Sequence, residues 1–318
     1  MQKTITIAGG GLAGLACAIR LQSQGVHVTV HERRSYPLKK VCGEFLSPAG
    51  WRRLQELGAE PFLPQAPTEL RRVRFYADDR HSVDFELKPS ALGLSRAAMD
   101  TALARRFQEL GGTLRENSKY EGEADGVTVI DARGKPSLPG QSAWVGWRAY
   151  LPAAAAPAEF QSADLVMLPV PAGYCGLSRI EDGRINVCLV ARTPVVIKEL
   201  LASHPMLTQI AGQLEPFAAI ASFDFRNYPG AGRLGDRRSV WPPLVGDGMS
   251  RALSAGMEQA QALLENRSPQ RTFTLGGFVL AKGLHTLMMS APLRQVGLRV
   301  TRVYPRIAES LFRTTRGG

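Results

Sequence analysis

The chain has 318 residues, 44% of them hydrophobic and 21% charged, which are values of a folded globular chain and exclude a disordered or fibrous one. No window reaches the ~18 uninterrupted apolar residues that crossing a bilayer requires, and Cys17, Cys42, Cys175 and Cys188 have neither metal-site spacing nor the density of a disulfide framework, so a cytoplasmic location is expected. The net charge of +11 is concentrated at one end: over the last 48 residues Arg271, Lys282, Arg294, Arg299, Arg302, Arg306, Arg313 and Arg316 face Glu309 alone, a local +7. With no zinc-finger spacing or aromatic RNA-binding signature, nucleic acid is not an expected partner. An acidic carrier protein or an anionic membrane surface is.

Thr4 to Ala8 reads as a short buried strand, followed at once by GGGLAG and by LACAIRLQSQG, whose Leu15, Ile19 and Leu21 suit a helix ending at Gly25. The apolar run from Ile5 to Leu21 is expected to be structure and not a signal peptide, because Gly9, Gly10, Gly11 and Gly14 break it and Val26 to Glu32 continues it as a second strand. The unit is strand, helix, strand, with Gly9-x-Gly11-x-x-Gly14 at the first turn and Glu32 lying 18 residues past the last glycine. Gly9 allows the tight turn, Gly11 lets a pyrophosphate approach the backbone and Gly14 lets helix and strand pack closely. Leu12 and Ala13 open the helix, whose unpaired amides face the phosphates. Glu32 would accept hydrogen bonds from an adenosine ribose, with Arg33 beside it. In this context the glycines point to a bound dinucleotide.

The continuation is not that of a simple NAD domain. A loop-like segment, RRSYPLKKVCGEFLSPAG, leads to a helix around Trp51 to Leu57. Strand-like VRFYADDRHSVDFEL follows, then a helix opened by Arg96 and closed by Gly111-Gly112, then a strand and turn from Val127 to Lys135.

These residues resemble the flavoprotein monooxygenases of the para-hydroxybenzoate hydroxylase fold, and within them the geranylgeranyl-reductase-like and flavin-halogenase-like branch. Three motifs carry the resemblance: Gly9 to Glu32; Val129-Ile130-Asp131-Ala132-Arg133-Gly134, with Ala132 where the family usually has glycine; and LGDRRSVWPPLVGDGMSRALSAG from Leu234 to Gly256. The third makes sense unaided. Gly235-Asp236 would bring a carboxylate to the ribityl hydroxyls, and Gly246-Asp247-Gly248-Met249 opens a helix whose amides would face the flavin and stabilise its reduced, negative form. Arg237-Arg238 departs from the family's small residues, and would either pair with the pyrophosphate or crowd it.

The implied fold is α/β, a Rossmann-like FAD-binding domain (residues 1–75, 94–135 and 228–265) with an inserted β-sheet substrate domain (76–93 and 136–227) and a short C-terminal helical region (266–318). The substrate part is strand-patterned from Ser137 to Arg226. Its clearest piece is a hairpin turning at Asp182-Gly183, which on a two-residue turn pairs Leu177 with Cys188 and Ile180 with Ile185. By the resemblance this sheet covers the flavin face, with Trp147, Tyr174 and Trp241 as candidates for the substrate wall. Cys42-Gly43-Glu44 resembles a segment that some reductases of the branch hold near the flavin ring. Cys42 would tune the flavin or donate a proton, and Glu44 would act as a general acid. Trp147 to Pro152 resembles the halogenase Trp-x-Trp-x-Ile-Pro box too loosely to use, and the five histidines have no metal-ligand spacing.

The implied activity is FAD-dependent and driven by NAD(P)H: monooxygenation of an apolar, aromatic or carrier-bound small molecule in secondary metabolism, or reduction of an isoprenoid or polyene double bond. The rival from another class is an accessory protein that binds flavin or lipid without turnover. An acyl carrier protein would meet the basic C-terminal region.

Overall fold

A computed structural model describes residues 4–122, 128–135, 143–226, 232–270 and 275–303. Val127, Ser137, Tyr228, Arg271, Arg306, Arg313 and Arg316, named above, lie outside them.

Two sheets organise the chain. The smaller is wholly parallel, with strands in the order β6 (Thr113–Arg115), β2 (Val28–His31), β1 (Ile5–Ala8) and β7 (Thr128–Asp131). All four residues of β1 are buried, as a central parallel strand covered on both faces requires. The chain leaves β1 through α1 (Leu12–Gln22) to β2 on one side, while β7 pairs on the other with Ala8 opposite Asp131. Strand order therefore reverses at β1. A crevice opens beyond its carboxyl end, where a doubly wound sheet takes its ligands.

Four helices surround this sheet or lie beside it: α1, α2 (Pro48–Glu56), α3 (Arg96–Glu109) and α6 (Gly248–Leu264). The first packs against the third and the last, closing a core that contains Ile7, Leu15, Leu103, Phe107 and Leu253. α2 and α3 begin conventionally. Ser47 accepts from Gly50 N and Ser95 from Ala98 N, each satisfying an orphan amide of the first turn. Neither α1 nor α6 has such a side-chain cap.

The larger sheet runs β12 (Ala219–Phe223), β8 (Trp144–Leu151), β11 (Ile185–Arg192), β10 (Gly173–Arg179), β9 (Leu165–Val170), β4 (Thr68–Tyr76), β5 (Ser82–Gly93) and β3 (Phe45–Leu46). Neighbours are antiparallel except β4 and β9. The expected cut at Phe75 falls inside β4, and both strands of the 68–93 hairpin belong to this sheet. One face carries Trp147, Leu177, Val187 and Leu189 into a second core, covered by α4 (Ile197–Ala202) and α5 (Pro205–Ile210).

The β10–β11 hairpin corrects the expected register by one residue. Leu177 pairs with Val187, Arg179 with Ile185, and Cys188 faces Gly176. Gly183, at φ +80° and donating its N–H to Ile180 O, makes a three-residue loop with a left-handed glycine instead of a two-residue turn. The two hairpin cysteines are still not opposite each other, and both are free thiols.

At the C-terminal end α7 (Leu275–Met289) and α8 (Ala291–Val303) pack on each other, and the second lies against β5. Among the described residues no helix is long and apolar enough to cross a membrane.

Candidate functional site

One cavity of about 900 Å³ runs from the crevice beyond β1 to the inner face of the larger sheet. It brings together residues that lie more than 200 positions apart in the chain. At one end are Gly9, Gly11, Leu12, Ala13, Glu32 and Arg33, and along its length lie Gly235, Asp236, Gly246, Gly248 and Met249. Glu32 and Asp236 thus share a single groove.

The glycine-turn end is shaped by backbone. A Cβ on Gly14 would lie 2.0 Å from Gly9 O, so helix and turn can approach this closely only without a side chain there; accordingly Gly14 sits behind the loop and not in the cavity wall. A Cβ on Gly11 would meet nothing within 4 Å, because that side of the loop is open to the cavity. Buried Glu32 fixes the loop, accepting from Gly10 N at 3.0 Å and from Arg34 N at 3.1 Å. α1 and α6 both start at the wall with first-turn amides that no side chain caps, so two positive helix ends face one space. This open, amide-lined groove fits a long coenzyme with a pyrophosphate at its middle and a ring system at its far end.

Asp131 does not join the lining. Burial raises its pKa, but bonds from Arg133 Nε (2.8 Å) and Arg237 Nε (2.7 Å) outweigh that and hold the carboxyl down at about 2. Asp131 is therefore a brace: it ties the second motif to the third, and in doing so it commits Arg237. Arg238 alone of the arginine pair lines the cavity.

The Cys42-Gly43-Glu44 segment crosses the inner face of the sheet and is clamped to it. Arg148 Nε donates to Lys40 O at 2.8 Å, Asn186 Nδ2 to Cys42 O at 3.0 Å and Ser178 Oγ to Gly43 O at 3.0 Å. All three side chains are buried, on strands that otherwise carry apolar residues. Glu44 itself adopts φ +53°, a conformation uncommon for a residue with a Cβ, and is fully buried. Its Oε1 accepts from Arg96 N at 2.9 Å and Tyr150 Oη at 3.0 Å, with Arg148 Nη1 at 3.9 Å, while Oε2 has no hydrogen-bond partner. Burial pushes the carboxyl up to about 7, against the pull of Arg148, the Arg96 amide and Tyr150. Arg148 in turn stacks on one face region of Tyr150, 4.4 Å from the ring centre, and Arg184 lies 4.2 Å from the same centre.

Burial also pushes the Cys42 thiol up, so it remains a thiol at neutral pH; its Sγ accepts from Glu44 N at 3.4 Å. Arg96 lines the cavity and pairs with buried Asp100 through Nη2, at 3.0 and 2.9 Å from the two carboxylate oxygens.

Of the three expected wall aromatics, Tyr174 and Trp241 line the cavity, the second with the Arg251 guanidinium 3.5 Å above its ring centre. Trp147 does not. Side chains on β8 alternate, so Trp147 points with Val145 and Leu151 into the second core, and Arg148 and Tyr150 take the opposite face, where they hold the Lys40–Glu44 segment that lines the cavity. The readable signal for those two was polar residues within otherwise apolar strands: Arg148 and Tyr150 two apart on β8, with single residues Asn186 on β11 and Ser178 on β10. Among the described residues no histidine, cysteine or carboxylate cluster could hold a metal.

The architecture is the para-hydroxybenzoate hydroxylase fold. Residues 7–38 match the family described as NAD(P)-binding Rossmann-like domain. An FAD-dependent monooxygenase of Aspergillus niger, pynG, is 25% identical over 142 residues, 41% of this chain and 33% of that protein, so the match spans about a third of the relative's length. Among solved structures, the flavin-dependent brominase Bmp2 superposes with a TM-score of 0.74 at 16% identity, covering 98% of this chain and 92% of that one. Klebsiella pneumoniae HpxO, complexed with FAD and uric acid, gives 0.71 at 17%, covering 99% and 97%. The p-nitrophenol 4-monooxygenase PnpA of Pseudomonas putida gives 0.69 at 16%, covering 98% and 99%.

Proposed function

We propose that the protein is an FAD-dependent oxidoreductase, reduced by NAD(P)H, that oxygenates an apolar or aromatic small molecule. The observation that carries this reading is the continuous groove with Glu32 and the uncapped start of α1 at one end, Asp236 along it, and the uncapped start of α6 towards the larger sheet. Bound there, FAD would supply the redox chemistry that no side chain of this chain can. Gly11 would admit the pyrophosphate, Glu32 would accept from the ribose, Asp236 would meet the ribityl chain, and the amides of Gly248 and Met249 would favour negative charge on the ring. Arg33, Arg34, Lys39 and Arg238 make the rim basic, which suits the phosphates of both dinucleotides.

The sheet-side lining, Leu165, Met167, Tyr174, Val190, Ile220 and Leu244, selects an apolar substrate and limits water. Glu44, with a pKa near 7, can both hold and release a proton at neutral pH, and its position under the sheet puts that proton at the wall of the reaction space.

The test is spectroscopic. Purified protein should be yellow, release FAD on denaturation, bleach with NAD(P)H under argon, and on admission of oxygen reoxidise with product formed only when substrate is present. A colourless protein that FAD cannot reconstitute would leave the accessory reading standing. A second reading, reduction of an isoprenoid or polyene double bond, draws on the same Glu44, since hydride addition to an alkene needs a proton donor beside it. Turnover without oxygen decides for it.

A further inference from the structure

α8 is amphipathic the wrong way round. Leu293, Val296 and Val300, spaced i, i+3, i+7, form one stripe and are 45%, 56% and 39% exposed. The opposite face does the docking, and apart from buried Leu298 it does so with polar groups. Arg294 Nε donates to Ala77 O at 2.9 Å, Gln295 bonds Asp78, and Arg302 Nη2 donates to Ser82 O at 3.0 Å. The arginines of the basic C-terminal region are therefore divided: Arg294 and Arg302 turn to the β4–β5 hairpin, while exposed Arg299 borders the apolar stripe. Seven large hydrophobic residues are exposed among the described residues; three are this stripe and a fourth, Val279, is on α7. Such concentration marks an interaction surface.

Charge selects the occupant. The chain carries +11, of which +7 falls in the last 48 residues. Arg299, the exposed charge at the edge of the stripe, complements anionic headgroups. A basic-edged helix with an outward apolar stripe has the pattern of a helix lying in a membrane interface.

We propose that α8 seats the protein on an anionic lipid surface, with Leu293, Val296 and Val300 entering the boundary between headgroups and acyl chains and Arg299 on the phosphates. The inference is independent of the flavin reading. Flotation of the full chain should show binding to phosphatidylcholine vesicles containing phosphatidylglycerol, falling with salt, and little binding to pure phosphatidylcholine. The L293E/V296E variant should partition at least about tenfold more weakly, and Arg299→Glu should flatten the salt dependence. Both change exposed side chains, so an unchanged thermal melt confirms that they are folded.

Wild type that stays with the soluble fraction overturns the proposal. So does binding that L293E/V296E retains, which would assign it to bulk charge. A dimer dissolved by V296E without vesicle binding would give the face to a second copy, and salt-sensitive capture by an acidic acyl carrier protein without vesicle binding would give it to that partner; either overturns the lipid assignment.

Discussion

The two ends of the cavity are built from different materials. The glycine-turn end is backbone: a glycine turn, two helix starts without side-chain caps, and Glu32 bracing the loop through Gly10 and Arg34 amides. The sheet end is side chain: Arg148, Asn186 and Ser178 holding a crossing segment from below, with Glu44 at its tip. A backbone site depends on the absence of side chains at particular places. A side-chain site depends on strand phase, since a shift of one residue exchanges the cavity face for the core. Substitutions should therefore fail differently at the two ends.

The largest contrast lies within the glycine turn. Gly14→Ala would force a Cβ to 2.0 Å from Gly9 O, and the backbone that must yield carries α1; we expect a loss of about 3 kcal/mol in unfolding free energy and a colourless protein. Gly11→Ala meets nothing within 4 Å, so the apoprotein should melt like wild type while FAD affinity drops. Thermal melts with and without FAD check both. Equal melts for the two apoproteins would break the claim that this end is defined by backbone approach.

At the other end Glu44→Gln keeps shape and removes the proton. Turnover should fall by roughly 10²-fold, the scale of a lost general acid, with flavin reduction by NAD(P)H unchanged in stopped flow. If both half-reactions slow together, Glu44 supports the fold of the site and not its chemistry.

The same residue gives a stability test. Folding raises the Glu44 pKa from 4.5 to about 7, so between those values the folded protein binds a proton that the unfolded chain releases. The cost to folding is absent below pH 4.5, grows as pH rises towards 7 and is constant above, on the order of 3 kcal/mol in total. Wild-type apoprotein should lose stability relative to Glu44→Gln across that window in urea titrations. Parallel curves would show that Glu44 is not desolvated.

Tyr150→Phe sharpens the comparison more gently. It removes a hydrogen bond to the carboxylate, which lowers the Glu44 pKa, so the alkaline limb of the pH–rate profile should move to higher pH with its plateau little changed. An unmoved limb would detach Tyr150 from the proton.

How much of this was legible in the sequence follows from the same division. That the glycine-turn residues meet in one groove could be read directly, because glycine spacing and an acid at the end of β2 are signals that backbone geometry imposes on sequence. Gly9, Gly11, Glu32, Asp236 and Gly248 all line one groove. Asp131 and Arg237 were readable as motif residues but not as partners, since their ion pair joins segments 106 residues apart. At the sheet end, choosing an aromatic from β8 without the strand phase selected Trp147, which faces the core, while Arg148 and Tyr150 on the other face hold the segment that lines the cavity. The hairpin register slipped for a related reason: Asp182-Gly183 reads equally as a two-residue turn or as the last two residues of a three-residue loop, and only Gly183 in the left-handed region distinguishes them. α8 was legible as basic but not as inverted, because amphipathicity does not say which face meets the protein.

Trp147 offers the smallest effect and the cleanest separation of core from cavity. It is 8% exposed and packs with Val145 and Leu151 on the face of β8 turned away from the groove. Trp147→Phe keeps an aromatic there and loses part of its volume, which should cost about 1 kcal/mol of stability, while KM and kcat stay at wild-type values because no atom of the wall moves far. Trp241→Phe reverses the pattern: the indole ring lies under Arg251 in the cavity wall, so KM should rise with little change in stability. Measuring melts and KM for the pair places each tryptophan independently. A KM shift in the first variant comparable to that in the second would mean that the sheet transmits packing changes to the substrate, and the two faces of β8 would then not be separable.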